Sequence, residues 1–106
     1  MALSDYIAEA MPYLERIARE LCRALEPLEG ASEIERACAN SRGYVRGVLT
    51  NISSRARDEE GSGQRLDLDL DKRVQAADGL ARKILAVNSL AEADALVASI
   101  KNWRTR

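Results

Sequence analysis

The sequence predicts an all-α fold, an antiparallel bundle of about four helices in a single domain that covers residues 1–106. Apolar residues recur at helical spacing in four separate segments. Serine or aspartate, which are favoured helix N-caps, stands near the start of each segment. The chain also has no phenylalanine and one tryptophan, so its core must come from leucine, isoleucine, valine and alanine. Such a core suits helices that pack side by side.

The first predicted helix covers about residues 4–26, with Ser4 as its N-cap. Its apolar residues occupy nearly half of the circumference, which favours a central place in the bundle or a share in a dimer interface. Pro12 leaves two interpretations open, because it either kinks one long helix or begins a helix near residue 11. Pro27 and Gly30 end the element.

The second predicted helix covers about residues 32–57, where Ser32 and Glu35 have the spacing of a capping box. Apolar residues keep one helical phase from Ile34 to Ile52, which favours one continuous helix, although a break near Asn40 stays open. Beyond residue 57 the polar, glycine-containing sequence predicts a flexible loop at about 58–66.

The third predicted helix covers about residues 70–87, with Asp69 or Asp71 as its cap and an extended segment before it. Asp67 and these two aspartates also match the first ligand positions of an EF-hand calcium loop, but Lys72 replaces the required glycine, so no metal site is predicted. The fourth helix covers about residues 90–103, and Ser89 with Glu92 forms its capping box.

Composition narrows the classes of function. The net charge is −1 and histidine is absent, which removes histidine-based catalysis and the commonest metal ligand. No phosphate-binding loop, dinucleotide fingerprint or nucleophile elbow occurs. We therefore expect no enzyme activity and no cofactor.

The sequence has no long apolar run and no signal sequence, which predicts a cytoplasmic protein that does not bind membranes. Its two cysteines, Cys22 and Cys38, are expected to be buried thiols rather than a disulfide.

The second helix contains the strongest candidate for a binding surface. Opposite its apolar arc, small residues recur every four positions, and an interior glycine costs about 1 kcal/mol in an exposed helix. Close approach of another helix would explain them. The sequence therefore predicts a non-enzymatic adaptor or regulatory inhibitor, itself a homodimer, that binds an unidentified protein partner. The predicted contact residues are Ala39, Arg42, Gly43, Arg46 and Gly47.

A DNA-binding regulator is the alternative. The run SRGYVRGVLTN, residues 41–51, resembles the second helix of helix-turn-helix regulators, and residues 37–57 contain four basic residues and no acidic one. This resemblance covers residues 32–51 and requires a turn near Asn40. It implies that DNA would be contacted by Arg42, Tyr44, Arg46 and Arg57.

Overall fold

The structure is a computed structural model that describes residues 2–61 and 67–104, with side chains as far as residue 102. This part of the chain forms four helices, α1 (Leu3–Leu25), α2 (Ala31–Gly61), α3 (Leu68–Leu85) and α4 (Leu90–Arg104). They pack around one apolar core. The all-α class and the bundle of four helices are therefore confirmed.

Helix α1 is the central element, because it packs extensively against each of the other three helices, whereas α3 meets α4 in only a few places. Its wide apolar arc is thus covered within one chain, and its buried residues include Leu3, Ile7, Leu14 and Leu25. The helix continues through Pro12, so that proline does not begin a new helix.

The N-terminus of α1 differs from the prediction. The helix begins at Leu3, so Ser4 lies inside its first turn, and the N-cap Ala2 supplies no side-chain bond. Instead Glu59 of α2 accepts a hydrogen bond from the Leu3 backbone N–H, with 2.9 Å between nitrogen and Oε1. A carboxylate from another helix therefore meets one of the free N–H groups and the positive end of the helix dipole.

Helix α2 is continuous from Ala31 to Gly61, and no break occurs near Asn40. Residues 58–61, predicted as the start of a loop, continue this helix; residues 62–66 of that loop lie outside the described residues. The N-terminus of α2 also differs from the predicted capping box of Ser32 and Glu35. Ser32 falls within the first turn of the helix, and the Glu35 carboxylate accepts a hydrogen bond from Arg42.

Helix α3 begins two residues earlier than predicted, and Asp67 rather than Asp69 or Asp71 is its N-cap. The Asp67 carboxylate accepts a hydrogen bond of 2.7 Å from the Leu70 backbone N–H. The alternating apolar and acidic residues are therefore the first turn of a helix, where acidic residues are favourable.

The predicted N-cap of α4 is confirmed. Ser89 Oγ accepts a hydrogen bond of 3.2 Å from the Glu92 backbone N–H.

The core consists of leucine, isoleucine, valine, alanine and the two cysteines, as the composition predicts. One charged residue of the described chain, Glu15 on α1, is buried with them. Among the described residues, no helix has both the length and the apolar character that crossing a membrane requires.

Candidate functional site

Arg42, predicted to bind a partner, is largely occupied inside the chain. Its side chain is 17% exposed and reaches the connection between α3 and α4. There the guanidinium donates to the side chain of Asn88 at 2.6 Å and, at longer distances, to the backbone carbonyls of Leu85 and Val87. It also forms an ion pair of 2.8 Å with Glu35. Arg42 therefore holds the end of α3 against α2.

The other predicted contact residues remain on the surface. Arg46, Tyr44 and Arg57 are exposed, and the Nε–H of Arg57 donates to the Ser53 carbonyl of its own helix. Helix-turn-helix geometry needs two helices joined by a turn, whereas these residues lie on one continuous helix. The segment therefore does not form the motif on which the DNA-binding alternative was based.

The small residues of α2 are not packed against another helix of the described chain. Ala39, Gly43 and Gly47 are exposed. A Cβ atom placed on Gly43 or Gly47 would meet no heavy atom within 4 Å outside the local helix. Packing within the described residues therefore gives no reason why either position should be a glycine.

These two glycines border a groove of about 510 Å³ between α1 and α2. All three tyrosines of the chain line it, and the exposed fraction is 39% for Tyr13 and 64% for Tyr44. The guanidinium of Arg55 lies 4.7 Å from the centre of the Tyr6 ring, which is cation–π geometry. We call this site the tyrosine groove; its lining residues are Tyr6, Glu9, Ala10, Tyr13, Gly43, Tyr44, Gly47, Val48 and Asn51.

Sequence reasoning identified the α2 side of this groove but missed the α1 side. Tyr6 and Tyr13 are seven residues apart, so they lie on the same side of a helix. This spacing was the feature of the sequence from which a tyrosine-containing surface on α1 could have been predicted. Which neighbouring helix would stand beside them depends on tertiary packing, which periodicity within one helix does not encode.

A second groove, of about 610 Å³, lies between α3 and α4. Leu80, Leu96 and Ile100 contribute apolar surface, and Gly79 and Lys83 are among its other lining residues. A Cβ atom on Gly79 would also meet nothing within 4 Å. Gly79 is therefore a matched comparison for the two glycines of α2.

Cys22 and Cys38 are free and buried, so the predicted thiols are confirmed. Cys22 Sγ donates a hydrogen bond of 2.8 Å to Asp94 Oδ1 on α4. This hydrogen bond, burial and the carboxylate charge raise the pKa of Cys22 to about 11. Burial is also the main cause of the raised pKa of Cys38. Both thiols are therefore held in the protonated, unreactive form.

We expect Cys22 of the folded protein to react with iodoacetamide at about pH 8 roughly a hundredfold more slowly than a thiol of pKa 9.0. Mass spectrometry of a Cys38→Ala variant measures Cys22 alone, and urea-unfolded protein gives the reference rate. Asp94→Asn should accelerate the reaction, because the negative acceptor is lost. Equal rates in folded and unfolded protein would contradict the raised pKa of Cys22.

The raised pKa of Cys22 also implies a contribution to the free energy of unfolding. This contribution is fully present below about pH 9 and disappears as the pH rises towards 11.

The described residues form a small helical bundle in which an open groove between α1 and α2 is lined by every tyrosine of the chain, and another groove lies between α3 and α4. No protein-family model, curated protein or solved structure matches this chain. The function must therefore be inferred from the grooves themselves.

Proposed function

We propose that this protein is a non-enzymatic helical adaptor or regulatory inhibitor that acts by protein–protein contact through the tyrosine groove. The observation that supports this is the meeting of Tyr6, Tyr13 and Tyr44 with two glycines that leave open space on α2. Tyrosine is enriched at protein interfaces because its ring offers apolar area and its hydroxyl a hydrogen bond.

The two glycines of the tyrosine groove lower the stability of helix α2. Each costs about 1 kcal/mol relative to alanine in a helix interior. Neither Gly43 nor Gly47 recovers this cost through a close contact inside the described chain. A partner whose backbone approaches α2 closely would recover it, because a side chain at either position would hold that partner away.

The groove also indicates what such a partner offers. Its lining includes one charged residue, Glu9, and one amide, Asn51, beside the tyrosine rings. A partner segment that presents apolar side chains flanked by hydrogen-bonding groups fits this lining. The proposal includes an antiparallel arrangement of the helices, a homodimeric state and a cytoplasmic location; the free, buried thiols agree with a reducing compartment.

The test compares three tagged baits in extracts of the native host: the unchanged protein, the double variant Gly43→Leu with Gly47→Leu, and Gly79→Leu. Leucine is the better helix former, so all variants should fold and gain about 1 kcal/mol per replaced glycine. We expect the double variant to lose specific protein partners that the unchanged protein and Gly79→Leu retain. Recovery of the same proteins in equal amounts by all three baits would refute the proposal.

A further inference from the structure

One tyrosine of the groove already holds a guanidinium. The central carbon of the Arg55 guanidinium lies 4.7 Å from the centre of the Tyr6 ring. The Nε atom of Arg55 is buried and has no hydrogen-bond acceptor among the described residues. The face of the Tyr6 ring therefore compensates this part of the guanidinium, because the π electrons of an aromatic ring attract a cation. The tyrosine rings of the groove are thus suitable acceptors for a positive charge.

The other two tyrosines of the groove have no such cation. Tyr13 and Tyr44 are both exposed, and cation–π geometry within the described part of the chain occurs at Tyr6 and at neither of these two. Arg55 is eleven residues from Tyr44 on α2, which is about 16 Å along the helix axis. Salt screens exposed charges over about 10 Å, so Arg55 does not repel a cation beside Tyr44. This end of the groove is therefore open to a cation from outside.

A carboxylate lies beside these rings. Glu9 is the one charged residue of the groove lining, and it precedes Tyr13 by four residues, so their side chains are neighbours on α1. No ion pair joins Glu9 to another described residue. Arg16, one turn beyond Tyr13, is already paired with Glu20 at 2.9 Å. The groove therefore presents aromatic rings and an available negative charge, and a cation complements both.

We propose that the tyrosine groove binds an arginine side chain of the protein partner, with its guanidinium against Tyr13 and Tyr44 and its charge paired with Glu9. The planar guanidinium stacks on aromatic rings while its N–H groups donate to a carboxylate. Gly43 and Gly47 leave open space in the groove for this side chain. A partner carboxylate would instead meet the negative charge of Glu9, which is unfavourable. This inference rests on the proposed function, since it names the group of the partner that enters the same groove.

The test is a titration with a short capped peptide that has one arginine between alanines. NMR follows the ring protons of Tyr13 and Tyr44. A second peptide has citrulline in place of arginine, which keeps the shape of the side chain and removes its charge. We expect the arginine peptide to shift these signals saturably, with a Kd on the order of 1–10 mM. The citrulline peptide should bind about tenfold more weakly, because it lacks the charge that the rings and Glu9 attract.

Variants of the protein assign the site. Tyr44→Leu removes a ring but keeps an apolar side chain, and Glu9→Gln removes the negative charge, so each should weaken binding of the arginine peptide by about fivefold. Tyr44→Phe keeps the aromatic ring and should retain most of the binding. Glu33→Gln is the control, because Glu33 is an exposed carboxylate of α2 outside the groove lining. Circular dichroism checks that each variant is folded.

The outcomes separate this inference from the proposed function. Equal binding of the arginine and citrulline peptides, or no shift at about 20 mM peptide, would overturn the inference. A Tyr44→Leu variant that binds as well as Tyr44→Phe would overturn it too. In each of these cases the proposed function still stands if the unchanged bait captures a protein that the double glycine variant loses. If the arginine peptide binds as expected but no such protein is captured, the arginine site stands and the proposed function fails.

Discussion

Replacing Arg42 with alanine is expected to lower the free energy of unfolding by about 2–3 kcal/mol, because it removes hydrogen bonds to charged and backbone groups from a largely buried site. The Arg42 guanidinium joins α2 to the last carbonyl of α3, to a carbonyl of the following connection and to the side chain of Asn88. Without it, those carbonyls lose their donors and the connection loses its attachment to α2. Urea denaturation followed by circular dichroism measures the change.

Two further variants show whether the geometry of Arg42 or only its charge is responsible. Arg42→Lys keeps the charge, but one ammonium group cannot reach the separate acceptors that the planar guanidinium reaches, so most of the loss should persist. Arg46→Ala is the matched control, because Arg46 is an exposed arginine one turn further along the same helix; its effect should stay within about 0.5 kcal/mol. Equal effects of Arg42→Ala and Arg46→Ala would show that the internal hydrogen bonds of Arg42 contribute nothing measurable.

Arg42 also shows what the sequence could and could not predict. Amphipathic spacing within each segment is a local property, and it predicted four helices, the continuous phase of α2 and the cap at Ser89. The inward turn of Arg42 towards Asn88 depends on contacts between residues 46 positions apart. No pattern within one helix encodes such a contact.

The same limit explains the errors at the helix ends. Sequence spacing assigned caps to Ser4 and Ser32, because a serine there can satisfy local N–H groups. In the folded chain, the first N–H of α1 bonds to Glu59, which comes from the residues that extend α2 beyond its predicted end. For the candidate site, the two glycines were found from their local cost, whereas Tyr6 and Tyr13 became recognisable only once α1 stood beside α2.

Replacing Pro12 with alanine is expected to raise the free energy of unfolding by about 2–3 kcal/mol. Proline inside a helix removes one backbone hydrogen bond, here to the carbonyl of Ala8, and its ring crowds that carbonyl, at a cost of about 3 kcal/mol. The greater freedom of alanine in the unfolded chain offsets less than about 1 kcal/mol of the gain. Pro12 is exposed, so the substitution opens no cavity in the core. Thermal and urea unfolding measure the gain.

The result also reveals how α1 tolerates a proline in the middle of its length. If the contacts of α1 with the other three helices simply offset the cost, alanine recovers it, and the reciprocal change Ala8→Pro costs about 3 kcal/mol at another exposed position. If instead the neighbouring helices are packed against a bend that Pro12 sets, alanine straightens the helix and loses core contacts. Stability would then stay constant or fall. A gain in Pro12→Ala therefore identifies packing around α1, rather than the backbone geometry of the proline, as the source of its stability.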